Sequence, residues 1–302
     1  MMEWKKLGQI FSPDNNFPWM VSHAANTVAE HLRDDIFRVY FSCRDSQNRA
    51  HIAYADVDIN PPFKIIALAD KPVLAPGVIG AFDDSGVSLS CITTVNNKKF
   101  LYYLGWNLGV TVPWRNSIGL AVYNESKKEF ERYSTAPLLD RNDVDPFSIS
   151  YPFVMHDGGI YRMWYGSNLS WGKEQEDMAH IIKYAESTDG IAWNRTGKIA
   201  LNLKDKSEYA ISRPCVIKEN GKYRMWYSYR GKSYRIGYAE SANAIDWQRM
   251  DEKAGIDVSS SGWDSEMICY PFLFDHSGKR YMLYNGNGYG KTGFGLAVME
   301  NN

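Results

Sequence analysis

Acidic, basic and aromatic side chains recur together at matched intervals along this chain. Five segments stand ahead of apolar, strand-like runs: Ser22-His23-Ala24-Ala25-Asn26, Phe82-Asp83-Asp84-Ser85-Gly86, Asp143-Val144-Asp145-Pro146-Phe147, Glu208-Tyr209-Ala210-Ile211-Ser212-Arg213 and Trp263-Asp264-Ser265-Glu266-Met267. Four of the five carry carboxylates. Other connecting segments supply Arg44, Trp106, Trp114, Trp171, Arg230 and Lys291. Aromatic faces beside acids and arginines suit a carbohydrate, because apolar sugar faces stack on rings while hydroxyls need charged or amide partners. Glycoside hydrolysis generally takes two carboxylates roughly 5 to 9.5 Å apart, one held protonated and one ionised. Glu208 and Glu266, ahead of successive runs, are the expected acid and base, with Asp84 as orienting carboxylate. Arg213 interrupts an otherwise apolar run, and an arginine aimed at a ligand favours phosphate or carboxylate, which makes it the expected anion anchor. His23, Asp83, Asp145, Tyr151, Tyr270, Trp106, Trp171 and Arg44 complete the expected substrate-binding set.

Other chemistries have less support. The stretch Asn285-Gly286-Asn287-Gly288-Tyr289-Gly290-Lys291-Thr292 ends like a phosphate loop, yet that motif requires glycine where Asn285 stands, and the residues after it read as a strand instead of a helix. The six histidines show no HExxH or paired spacing, so no metal is expected. Four widely spaced cysteines without a CxxC pair read as reduced core thiols. With 34 Lys+Arg against 35 Asp+Glu there is no basic field for broad nucleic-acid binding. The N-terminal MMEWKKLGQIF has no apolar signal core, and no stretch approaches the roughly 18 apolar residues of a membrane span. A cytoplasmic protein with neither membrane nor nucleic-acid partner is the resulting expectation.

The elements that must position these groups form a repeat. One marker occurs five times: FRVYF from Phe37, FLYYL from Phe100, YRMWY from Tyr161, YRMWY from Tyr223 and YMLY from Tyr281. A second follows each, as IAYAD from Ile52, IGLAV from Ile118, IKYAES from Ile182, IGYAES from Ile236 and FGLAV from Phe294. Trp193 and Trp247 then stand nine residues past Tyr184 and Tyr238. Each copy reads as four short strands joined by turns, and five copies of about sixty residues use up the 302 residues. That arithmetic predicts an all-β, single-domain, five-bladed β-propeller over residues 1–302, with alternating aromatics packing blade on blade. The last copy stops after its third strand, and Glu3-Trp4-Lys5-Lys6 resembles the fourth strands around Trp193 and Trp247. The N-terminal strand is thus expected to complete the last blade and remove its open edge.

On the repeated proline, glycine and tyrosine pattern of Pro152 to Tyr165 and Pro214 to Tyr227, the IKYAES ending that runs to Trp193, and Asp83-Asp84-Ser85-Gly86-Val87, the chain resembles the five-bladed propellers of glycoside hydrolase families 43, 32 and 130, and related propellers associated with polysaccharide biosynthesis. The resemblance implies a carbohydrate or sugar-phosphate ligand in a central funnel, and leaves room for a structural calcium. It also implies catalytic carboxylates before prolines of the first strands, where this chain has Tyr151, Arg213 and Tyr270, with Ala25-Asn26-Thr27 in the first copy. Three readings follow from that departure: a glycosidase using displaced carboxylates, a non-hydrolytic sugar or sugar-phosphate binding module, and a phosphorylase whose arginines hold inorganic phosphate. A protein-interaction propeller fits the fold but leaves the funnel charges unexplained.

Overall fold

The computed structural model describes residues 2–174 and 177–300. Strand β1 is Trp4–Phe11. Four antiparallel units follow in order, each a meander of four strands. Unit 1 holds β2 (Ser22–Arg33), β3 (Ile36–Arg44), β4 (Ala50–Asp58) and β5 (Lys64–Leu68). Unit 2 holds β6 (Gly86–Val95), β7 (Lys98–Leu108), β8 (Trp114–Asn124) and β9 (Glu129–Arg132). Unit 3 holds β10 (Ile149–Asp157), β11 (Ile160–Ser170), β12 (Ala179–Ser187) and β13 (Asn194–Leu201). Unit 4 holds β14 (Ala210–Glu219), β15 (Lys222–Arg230), β16 (Tyr234–Ser241) and β17 (Gln248–Arg249). The last strands, β18 (Cys269–His276), β19 (Lys279–Asn285) and β20 (Phe294–Met299), form a fourth-strand-less meander that β1 completes by pairing antiparallel with β20, Trp4 opposite Met299. Single parallel pairings, Ala50 with Gly86 and His180 with Ala210, stitch unit 1 to unit 2 and unit 3 to unit 4.

Period-two alternation explains why these runs are strands buried on both faces. Within β11, Tyr161, Met163 and Tyr165 enter the core shared with unit 2, while Trp164 enters the core shared with unit 4. The same split recurs in β15, with Tyr223, Met225 and Tyr227 on one side and Trp226 on the other. Apolar clusters join units 1 and 2, 2 and 3, 3 and 4, and 4 and the last meander, and a further cluster of Phe37, Val39, Phe41, Leu283, Phe294 and Leu296 joins the last meander to unit 1. The first strands meet in the same cyclic order, β2 with β6, β6 with β10, β10 with β14, β14 with β18 and β18 with β2.

A tryptophan near the start of each outer strand marks three of these joints. Trp193 meets Tyr102 edge-on at 6.2 Å, Trp247 meets Trp164 at 5.9 Å, and Trp4 meets Trp226 at 6.0 Å. At the middle joint the indoles of Trp164 and Trp247 both donate to the Ala244 carbonyl, whereas the Nε1 groups of Trp4 and Trp226 have no acceptor among the described residues. Trp4 is nonetheless buried. Replacing Trp4 with Ala should therefore cost about 3 to 5 kcal/mol in urea unfolding, despite its place near the chain end, while Lys5→Ala should change stability by less than about 0.5 kcal/mol. Equal, near-zero effects of the two would show that β1 is dispensable.

Candidate functional site

The N-terminal ends of β2, β6, β10, β14 and β18 share one face with the β3–β4, β7–β8, β11–β12, β15–β16 and β19–β20 connections, because the register places Ser22 opposite Arg44, Gly86 opposite Trp106 and Ala210 opposite Arg230. This face, where the five first strands begin, is the mouth face. Each first strand has an irregularity at one equivalent place: the ladder skips between Ala25 and Val28, Leu89 and Cys91, Ser150 and Phe153, Ser212 and Cys215, and Cys269 and Phe272. Prolines at 152, 214 and 271 lack the amide proton a ladder needs, so a bulge suits them. At the bulges Asn26, Tyr151, Arg213 and Tyr270 take left-handed backbone angles, with φ of 59°, 41°, 56° and 58°. Non-glycine residues adopt this region at a cost, and here it turns their side chains off the sheet toward the centre.

Arg213 occupies that centre. Its guanidinium is 2% exposed and donates only to neutral acceptors: Nε to Asn26 Oδ1 at 3.2 Å, Nη2 to the carbonyls of Asn26 at 2.8 Å and Thr27 at 3.3 Å, and Nη1 to the Ser90 carbonyl. Burial holds its pKa below the usual arginine value. Beside it the rings of Tyr151 and Tyr270 stand 6.1 Å apart, and Tyr151 feels both Arg213 and Arg44. The expectation that Arg213 grips a ligand is thus replaced by a different role: its donors are taken by the protein's own backbone, and its charge is left to act through space.

Around the rim, Arg230 lies over three rings, at 5.2 Å from Tyr209, 5.3 Å from Tyr289 and 5.6 Å from Tyr234. Its Nε is buried without an acceptor, and among the described residues no carboxylate pairs with it. Arg44 gives one donor to Asn48 Oδ1 and has no ion pair among the described residues. His23, whose Nδ1 is 2.9 Å from Ser22 Oγ, has its pKa lowered to about 4, first by burial and then by Arg44 and Lys291. Among the described residues this face thus presents cations without ion pairs, a neutral imidazole and phenol rings. Sequence reasoning missed Tyr209, Tyr234 and Tyr289 as the cage of Arg230, because no local motif ties the three together.

Most of the predicted carboxylates are already engaged by the protein's own groups. Glu208 is buried, and its oxygens accept from both terminal nitrogens of Arg249, at 2.8 and 2.9 Å, and from the Lys204 amide at 2.9 Å. Asp83 accepts from Tyr103 and Arg132, and fully buried Asp145 from Tyr165, Ser167, Lys183 and Arg195. Asp264 repeats the arrangement with Tyr284 and Lys6. The recurring acids are thus buried partners of a second-strand tyrosine and an outer-strand cation. Asp84 caps its own loop through the Gly80 amide and the Ser85 hydroxyl. Only Glu266, of the three catalytic candidates, has an exposed carboxylate without a partner among the described residues. Trp106 covers the start of β6, where a Cβ on Gly86 would collide with the indole and with the Ala50 amide, and Trp171 meets Trp114 edge-on at 5.4 Å. Among the described residues no group of three or more His, Cys, Asp or Glu is placed to hold a metal.

Comparison with known proteins places this geometry. A family model described as β-1,4-mannooligosaccharide phosphorylase, of glycoside hydrolase family 130, matches residues 156–298, from the end of β10 through β20. The uncharacterized protein MT1551 of Mycobacterium tuberculosis (strain CDC 1551 / Oshkosh) is 49% identical over 300 residues, 99% of this chain and 100% of its own length. A 1,2-β-oligomannan phosphorylase of Thermoanaerobacter sp. (strain X514) is 28% identical over 134 residues, 40% of this chain and 44% of its own. A solved structure from the GH130 family of mannoside phosphorylases, described as containing glycoside hydrolases that target β-1,2 mannosidic linkages in Candida mannan, superposes with a TM-score of 0.72 at 16% identity, covering 98% of this chain and 93% of that one. Family 43 and family 32 enzymes share the fold as well. The chain shares the fold of these enzymes, and its second half resembles family 130.

Against this shared fold the departure at the pre-proline positions takes on a structural meaning. The bulges are present, and they aim side chains at the centre, but those side chains are Asn26, Tyr151, Arg213 and Tyr270. Arg213→Met should leave the carbonyls of Asn26, Thr27 and Ser90 buried without donors, and should cost on the order of 3 kcal/mol or more in urea unfolding. A Met variant as stable as the parent would refute this structural role.

A pH dependence follows from two imidazoles. His180 is buried, shares a 2.9 Å hydrogen bond with the Ile211 carbonyl through Nδ1, and has its pKa lowered to about 4 chiefly by burial, as does His23. Below 6.5 the unfolded chain binds protons that the folded chain refuses, so folding stability should be complete above pH 6.5 and decline progressively toward pH 4. Melting temperatures recorded across that window test it; a flat profile from pH 6.5 to 4.5 would contradict it.

Proposed function

We propose that the five meanders are the blades of a five-bladed propeller closed by β1, and that its mouth takes a mannoside-type sugar together with phosphate, as the free ion or as a sugar phosphate. The observation that carries this reading is the charge of this face: Arg44 and Lys291 act on neutral His23, Arg230 stands over Tyr289, Arg213 is buried at the centre, and no bulge residue is a carboxylate. An unpaired guanidinium held flat by rings is preorganised for an oxyanion, and low local dielectric strengthens the contact. The family description and the oligomannan phosphorylase support phosphate as that anion. Two-carboxylate hydrolysis is less favoured, because both oxygens of Glu208 and of Asp84 are already engaged. In phosphorolysis a phosphate oxygen bonds to the anomeric carbon as the glycosidic C–O bond breaks, and the departing oxygen takes up a proton. The cations would orient the phosphate, and Glu266 is a carboxylate on this face without a partner among the described residues.

Incubating the protein with β-mannobiose, with and without inorganic phosphate, and following the products by phosphorus NMR tests the reading. Release of mannose 1-phosphate that requires phosphate is the expected outcome, and Arg230→Met should raise the KM for phosphate at least about tenfold, the equivalent of 1.4 kcal/mol. Mannose release at an equal rate without phosphate would overturn it in favour of hydrolysis. Calorimetric binding of mannose 1-phosphate without turnover of any mannoside would assign the mouth a binding role only.

A further inference from the structure

Exposed aliphatic side chains are concentrated on the mouth face above unit 2. Val78 and Ile79, in the connection from β5 to β6, are 77% and 100% exposed, and Leu108 and Val110, at the β7–β8 connection, are 72% and 104% exposed. These two loops are fastened to each other. Asn107 Nδ2 donates to the Ala81 carbonyl at 3.3 Å, and the Leu108 amide donates to Ser85 Oγ at 3.2 Å. The tips are therefore held in a fixed relation, and they are convex, since side chains this exposed touch almost nothing of their own protein. Soluble monomers seldom display branched aliphatics in this way without a partner. Sugars do not account for them, because a pyranose stacks on an aromatic plane and gains little from isopropyl or sec-butyl groups. Convexity also argues against a peptide or a ligand that needs a groove. On the same face stand the Trp114–Trp171 pair and the unpaired cations of the mouth.

We propose that the mouth face docks on a lipid surface bearing anionic phosphate headgroups. Val78, Ile79, Leu108 and Val110 enter the boundary between headgroups and acyl chains, the indoles of Trp114 and Trp171 lie at the depth such rings favour, and Arg44, Arg230 and Lys291 face the phosphates. Apolar insertion and charge then act together, as stable peripheral binding generally requires. The proposal shares Arg44, Arg230 and Lys291 with the reading above and differs from it in the aliphatic tips, which the sugar chemistry does not use.

Sedimentation of the full chain with phosphatidylcholine vesicles, alone and with about 30% phosphatidylglycerol, tests it. The expected result is partition onto the anionic vesicles that weakens with added salt. The double variant Ile79→Ser, Val110→Ser should lower that partition at least about tenfold while leaving the calorimetric affinity for mannose 1-phosphate unchanged. Absence of partition at low salt would overturn the proposal, as would partition that the double variant retains. Analytical ultracentrifugation supplies the remaining arm: a concentration-dependent dimer that the double variant abolishes would assign the tips to a second copy of the chain instead.

Discussion

A single guanidinium, that of Arg213, sets the terms for the centre of this molecule. It starts on β14 and reaches the backbone of β2 and of β6, so that three first strands are joined across the middle by one planar group. Burying a charge is costly unless its donors are satisfied, and here neutral carbonyls satisfy them while leaving the charge uncompensated. A carboxylate partner would have neutralised the centre. Its absence leaves the centre positively charged, while His23 on the same face is kept neutral first by burial and then by Arg44 and Lys291. An anion approaching the mouth therefore meets a field whose cost was met when the chain folded.

The same economy governs the acids. Asp83, Asp145 and Asp264 each tie a second-strand tyrosine to a cation on an outer strand, and Glu208 with Asp251 does so through Arg249 and Tyr227. In unit 1 the matching ring is Phe41, which has no hydroxyl to satisfy and packs among Phe11 and Phe294. Where the hydroxyl is missing, the buried acid is missing too. The acids thus follow the tyrosines, as a packing requirement would have it, and do not gather around a substrate.

Much of the architecture was legible because it rests on periodicity. Alternation in YRMWY dictates which ring enters which joint, and the likeness of Trp4 to Trp193 and Trp247 foretold the pairing of β1 with β20. The site was harder to read for a definite reason. A carboxylate ahead of a first strand looks the same whether it faces inward to a ligand or outward to an arginine, and a strand's residue types do not report which. Glu208 was misread on that account. Residue types at the pre-proline positions were readable, but only the left-handed angles of Tyr151, Arg213 and Tyr270 show that they all turn to the centre. The cage around Arg230 draws Tyr209, Tyr234 and Tyr289 from three different connections, a proximity that no sequence spacing encodes.

The partnership of β1 with β20 has a bearing on how the molecule comes into being. Strand β1 precedes units 1 to 4 in the chain and its ladder partner follows them, so Trp4 cannot meet Met299 until all four units have been made. Units 1 to 4 can each form from local hairpins, but the seam is a contact across all of them and closes at a large cost in chain entropy. Until it closes, β20 offers an unpaired edge and the face of Trp226 awaits its cover. A chain whose seam has not yet closed is therefore the form most open to edge-to-edge association.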